Sequence, residues 1–192
     1  EVNLMMASWV GIVSKTPPTI AISLNILELT NINRLAASIK LNVLVENREA
    51  AIALAKKATS PIGVYIKIDT GYHRTGIPSS RTGTIDTILE QLAGNRKINF
   101  KGFLTHTGHT YLAKSTNEIF SRQFDALLKL NALKNTYKKE YPKVEISLGD
   151  TPSASICGNF KGVDELRPGN FVFYDLMQHS LGVCEIEDIA VK

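Results

Sequence analysis

Two rhythms of apolar residues take turns along this chain. Residues 19–23 (TIAIS) and 41–45 (LNVLV) are short, nearly unbroken apolar runs, and across residues 63–68 Val64, Ile66 and Ile68 alternate with Tyr65 and Lys67. Such runs predict strands. Between them, residues 25–39 place Ile26, Leu29, Ile32, Leu35, Ala36 and Ile39 at three- and four-residue spacing, the signature of an amphipathic helix. An alanine-rich helix follows over residues 48–58, and another over 84–92 that Gly94-Asn95 stops. The alternation continues with a strand at residues 100–105. Ser115 and Glu118 then have the spacing of a capping box, opening a helix through Tyr137 with Phe120, Phe124, Leu127, Leu128 and Leu133 turned inward. Pro142 ends it. A strand at 144–148, a short helix at 152–157 and a strand at 166–174, with Phe171, Val172 and Phe173 in the core, complete the series. Ahead of it, Leu4, Met5, Trp9 and Val10 in residues 1–12 suggest a helix remnant, closed by Thr16-Pro17-Pro18.

Strand and helix alternate throughout, and the strands are too continuously apolar to keep one face wet. That combination predicts parallel strands covered by helices, an α/β fold. An open doubly wound sheet and a (β/α)8 barrel both fit. Polar clusters follow the C-terminal ends of several different strands, which favours the barrel.

Composition narrows the partners. Of 192 residues, 44% are hydrophobic and 21% charged, ordinary values for a globular domain. The net charge of +4 is spread thinly, with only Lys138-Lys139 adjacent in the longest helix, so nucleic acid is not an expected partner. Cys157 and Cys184 lie far apart and match no metal spacing. No apolar run approaches the ~18–20 residues of a membrane span, and the first residues lack the basic start of a signal peptide. A reduced, cytoplasmic protein without a membrane partner is expected.

The stretch that carries most chemistry is residues 64–77, VYIKIDTGYHRTGI. Its strand pattern breaks at Asp69-Thr70-Gly71 into Tyr72, His73 and Arg74, then Thr75-Gly76. Ionisable groups between two glycines at a strand's end favour a ligand site over a plain turn. Arg74 offers a planar fork of donors to an anionic oxygen, or an ion pair to Asp69. His106 ends the next strand, with His109 and Tyr111 close behind. They form an acid–base cluster, or a zinc pair lacking an evident third ligand. Residues 149–153 (GDTPS) join a strand to a helix, where hydroxyls and free amides serve either an anion or a helix cap. Residues 165–170 (ELRPGN) carry Gly169, which permits close backbone approach.

These segments, with residues 102–111 (GFLTHTGHTY) and 165–178 (ELRPGNFVFYDLMQ), resemble in the same order the motifs of the alanine racemase-like, fold-type III family of pyridoxal phosphate (PLP) enzymes. The nearest branch is that of D-threonine aldolase and D-serine dehydratase. The resemblance runs from about Thr19 onward and implies an incomplete (β/α)8 barrel of about six strands. It makes residues 1–192 a partial N-terminal PLP-binding barrel domain, with the family's C-terminal β domain absent. It further implies a homodimer and a PLP-dependent lyase for D-3-hydroxy amino acids, working by retro-aldol cleavage or β-elimination from an external aldimine. An amino-acid racemase, or a vestigial non-catalytic barrel, are the alternatives. By the resemblance, Arg74 meets the cofactor's phenolic oxygen or the substrate carboxylate, while His73 turns away. His106 lies against the ring, Arg167 faces its nitrogen, and Thr151, Ser153, Gly169 and Asn170 reach the phosphate, with Tyr174 as a further candidate. His106, His109 and Tyr111 are the catalytic candidates. The Schiff-base lysine of a PHxKTH-like segment is missing, Lys15 being the one lysine nearby. The family's divalent metal, of zinc or manganese type, is expected from the C-terminal domain.

Overall fold

The computed structural model describes residues 19–190. The alternation read from the sequence is realised in full there. Strands β1 (Thr19–Ser23), β2 (Leu41–Val45), β3 (Ile62–Asp69), β5 (Ile98–His106), β6 (Glu145–Gly149) and β7 (Glu165–Leu166) lie side by side in that order. Every pairing is parallel, and a two-residue strand β4 (Ile77–Pro78) joins the end of β3. Helices α1 (Leu29–Ser38), α2 (Arg48–Lys57), α3 (Thr82–Ala93), α4 (Thr116–Tyr137) and α5 (Thr151–Ile156) provide the crossovers, and α6 (Leu176–Ser180) follows β7. The result is an α/β sheet of the incomplete-barrel kind. The helix remnant expected in residues 1–12, and Lys15, lie outside the described residues.

Each face of the sheet has its own core. Val43, Val45, Val64, Ile66, Ile68, Phe103, Ile146 and Leu148 point outward and pack under the helices. Strand alternation turns the residues between them inward. There Leu44, Tyr65 and Leu104 form a small separate cluster. Around it the interior is polar and paired: Tyr65 donates to Glu145, which also takes Lys101 at 3.0 Å, and Ser147 donates to Glu165.

Four expectations change. In α4 the buried residues are Ile119, Gln123, Ala126, Leu130, Leu133 and Tyr137. Phe120, Phe124 and Leu128 are exposed. One residue of helix turns the chain by about 100°, so the stripe beginning at Phe120 falls on the flank while the stripe beginning at Ile119 meets the sheet. The strand expected over residues 166–174 ends after Leu166. Arg167 N still donates to Leu148 O, but Pro168 has no N–H to continue the ladder. The chain then turns, with the amides of Phe173 and Tyr174 donating to Asn170 O. Phe171, Val172 and Phe173 are therefore exposed rather than core. In the first helix, Ile26 falls in a leading 3-10 turn and is exposed, as is Ile39, while Leu29, Ile32 and Ala36 are buried. The capping box is half realised. Ser115 Oγ accepts from Glu118 N, but Glu118 reaches back to Lys114 N at 2.7 Å.

Ile66 is fully buried in the helix-side core. Replacing it with alanine is expected to cost about 2–5 kcal/mol, read from the denaturant midpoint with the slope unchanged.

Candidate functional site

The described strands end together, and their C-terminal ends bring the candidate residues to one mouth. At the end of β3, Asp69 builds the first loop. Its carboxylate accepts from Gly71 N at 2.9 Å, from His73 N at 3.0 Å and from the His73 ring at 2.9 Å. Burial works against the charged form, but these donors, the two amides above all, hold the Asp69 carboxyl below its usual range. The same bonds sustain a left-handed His73, with φ of +55°. His73 faces solvent, with its side chain 83% exposed. Asp69 thus takes His73, not Arg74, as its side-chain partner. Arg74 instead lays its guanidinium carbon 4.9 Å above the centre of the Tyr72 ring.

The loop after β5 locks against this one. Tyr72 meets the His106 ring edge to face at 5.7 Å, and His106 in turn lies 6.5 Å from the Tyr111 ring. The Tyr72 ring packs directly on Gly108, where a Cβ would collide with it. Opposite, His109 lies beside Gly71, whose φ of +139° an L side chain rarely adopts. His106 Nδ1 lies 2.8 Å from Gly149 O. A carbonyl can only accept, so the proton sits on Nδ1 and the lone pair on Nε2. Burial, opposed by that hydrogen bond and assisted by Arg74 and Arg167, pushes the His106 pKa down. His109 is lowered chiefly by burial, then by Arg122, and its Nδ1 is buried without a partner.

Asp150 fastens the third side. It is 2% exposed and caps α5 through Ser153 N at 2.7 Å. It also receives the hydroxyls of Thr107, Thr110 and Ser153. Ser153 Oγ is thereby committed to Asp150. Thr151 Oγ1 accepts from Asn170 N at 2.8 Å, and Thr151 N donates to Tyr111 Oη at 3.3 Å. Tyr111 thus joins the end of the site formed by Thr151, Gly169 and Asn170, while Tyr174 bonds Ser155 Oγ at 3.0 Å. At Gly169 an added Cβ would meet nothing within 4 Å, so the backbone there borders open space.

Arg167 lies below the mouth. Its Nε donates to Ser147 Oγ at 2.7 Å and its Nη2 to Thr105 O at 2.6 Å, leaving Nη1 uncommitted to these partners. Burial pushes its pKa down to about 10, with Glu165 opposing, so it stays protonated at neutral pH. Beside it stands Lys67, an inward-facing residue 6% exposed. Burial lowers its pKa against the pull of Glu46, and Arg74 and Arg167 add repulsion. Sequence reasoning passed over Lys67, took Tyr72 only as part of the polar cluster, and offered Asp150 or Thr151 as a helix cap, a role that Asp150 fills. For Lys67 the signal was present: it takes a core-facing turn in an otherwise apolar strand.

No group of three or more His, Cys, Asp or Glu side chains among the described residues is placed to hold a metal ion. No helix there is long and apolar enough to cross a membrane.

Comparison with known proteins gives these features a context. The family model for the alanine racemase N-terminal domain matches residues 16–176. A D-serine dehydratase of Dictyostelium discoideum is 31% identical over 169 residues, covering 79% of this chain and 42% of that protein. The D-threo-3-hydroxyaspartate dehydratase of Delftia sp. (strain HT23) is 30% identical over 159 residues, covering 79% of this chain and 41% of that protein. Its solved structure superposes with a TM-score of 0.82 at 28% identity, over 90% of this chain and 46% of the other. The chain therefore spans less than half the length of these relatives.

Two outcomes follow from the geometry. The His106 ring is expected to titrate by NMR with a midpoint below 6.5. A base with a lowered folded pKa leaves more protons on the unfolded chain, so its contribution to stability is full above about pH 6.5 and declines as the pH falls. Asp150→Ala should cost about 3 kcal/mol, because it strands the buried hydroxyls of Thr107 and Ser153 and the Ser153 amide, while Thr110 keeps the carbonyl of Thr107; Asp150→Asn should cost less.

Proposed function

The chain belongs to the alanine racemase N-terminal domain family, and we propose that it forms the cofactor-binding wall of a PLP-dependent lyase acting on small D-3-hydroxy amino acids. Loss of water from the substrate, as in a dehydratase, is the favoured reaction, since both curated relatives described above are dehydratases. Retro-aldol cleavage and racemisation are the readings it displaces. The observation that carries the proposal is a chain of contacts: Arg74 lies over the Tyr72 ring, Tyr72 meets His106 edge to face, and His106 neighbours Tyr111, which receives the Thr151 amide. A flat ring with an anionic oxygen on one edge and a phosphate on another calls for donors and ring contacts of these kinds.

When bound, the cofactor would supply an electron sink for charge that develops at the substrate's α-carbon. The other tasks fall to this chain. Arg74, held at its angle by the Tyr72 face, presents fixed donors to an anionic oxygen. His106 stays neutral, so it lines the ring without adding charge, and its Nε2 is free to accept a proton. Arg167 supplies a buried cation through its remaining Nη1. Thr151, Gly169 and Asn170 take the phosphate, with Tyr111 closing that end. Ser153 supports them through Asp150 rather than by direct contact. His109 keeps its place as an acid–base candidate at the junction of the two loops. The divalent ion implied by the resemblance is given no ligand among these residues. We further propose a homodimeric, cytoplasmic enzyme.

Titration of the chain with PLP, followed by absorbance, is expected to show saturable binding that Arg74→Met weakens about tenfold or more, the worth of one charge-assisted contact. Borohydride reduction and peptide mapping would then identify any lysine that has reacted, Lys15 included. The absence of saturable binding would sink the proposal.

A further inference from the structure

Helix α4 carries one ion-pair arrangement twice, seven residues apart: Glu118 with Arg122, and Asp125 with Lys129 at 2.6 Å. Acid-first pairs at i,i+4 are a common surface feature and by themselves contribute little. Seven residues are close to two turns, so both bases occupy the same face. Each base turns one further donor away from its acid. Arg122 donates to the carbonyl of His109, and Lys129 donates to the carbonyl of Thr70 at 2.8 Å. These carbonyls belong to the two loops that form the site, one after β5 and one after β3. Between the two attachment points the loops interlock, with His109 beside Gly71 and Tyr72 seated on Gly108.

We infer that Arg122 and Lys129 are positioning residues: α4 clamps both strand-end loops by their backbones, so that Arg74 and His106 keep their spacing across Tyr72. The paired acids aim the clamps, as Glu118 is itself fixed by Lys114 N and Asp125 lies one turn before its lysine. A surface pairing alone would add nothing to the loops' own contacts, which among the described residues are ring contacts, backed by Thr105 at the end of β5, whose hydroxyl pairs with Thr70 at 3.0 Å and donates to Ile68 O at 2.8 Å. Carbonyls are satisfied here by cations reaching from a rigid helix, which fixes the loop's position as well as its fold. The catalytic relevance of the clamp rests on the function proposed above, but its mechanical part does not.

Hydrogen exchange on the full chain tests it. Lys129→Met is expected to speed exchange of the Gly71 and His73 amides, which the Asp69 carboxylate protects, at least tenfold. Arg122→Gln should do the same for Thr110 and Ala113, whose amides bond within the second loop. Amides of the central strands, such as Ile66 and Phe103, should keep wild-type rates, which separates local release from general destabilisation. Lys134→Met, which breaks an ion pair to Asp164 away from the loops, should leave all four loop amides unchanged. Lys129→Arg should restore protection. Unchanged loop exchange in Lys129→Met and Arg122→Gln, or loop exchange that rises only together with the strand amides, would overturn the clamp. In parallel, PLP affinity is expected to fall at least threefold in both clamp variants. If wild type binds no PLP while loop exchange still rises, the functional reading fails and the clamp stands.

Discussion

A parallel sheet covered by helices has no wet face, and that constraint arranges everything else in this chain. Outward positions of the central strands are uniformly aliphatic or aromatic, from Val43 to Leu148. Along the strands, ionisable groups have only two places left. One is the sheet's inner side, where burial is tolerated when charges are paired, as with Glu145 between Tyr65 and Lys101. The other is the space beyond the strands' C-terminal ends, where Asp69, His106, Asp150 and Arg167 gather. The site is located where it is because the fold excludes those side chains from most other places.

Carboxylates do most of the local construction. Asp69 converts the end of a strand into a tight loop by collecting two amides and a ring nitrogen, and holds His73 in a conformation that non-glycine residues rarely take. Asp150 performs the equivalent task two strands away, binding three hydroxyls and the Ser153 amide in a space almost closed to water. Neither acid is thereby left free for chemistry. Their work is preorganisation: they fix the frames that carry Arg74 and Thr151, so little reordering is needed when an anion arrives.

Much of this was legible in the sequence, and the limits are physical. Periodicity located every main strand and helix because two-sided burial writes a strong apolar signal. It misjudged α4, where two apolar stripes run side by side and only packing decides which one meets the sheet. It overran β7, where the aromatic string Phe171, Val172 and Phe173 looks like a strand but follows a proline that ends the ladder. Within the site, residue types announced Arg74 and His106, which sit at visible breaks in pattern. The ring contacts of Tyr72 and the reach of Lys129 were not announced. The importance of these residues lies in what they touch, and Lys129 acts from 59 residues away on the carbonyl of Thr70, a relation that no local spacing encodes.

The electrostatics of the mouth bear on the kind of ligand it suits. Arg74 and Arg167 act together on both His106 and Lys67, lowering each in the same direction. Opposing charge comes from Glu46, Asp150 and Glu165, the last with an oxygen 3.8 Å from Arg167 Nε. A cation entering here would add to the repulsion that the two arginines exert on His106 and Lys67. An anion beside the neutral His106 would relieve it. The geometry of the ring contacts and the sign of the local field therefore favour one class of guest, a flat anionic molecule. Residue types, ring stacking and charge lead to that conclusion by independent routes.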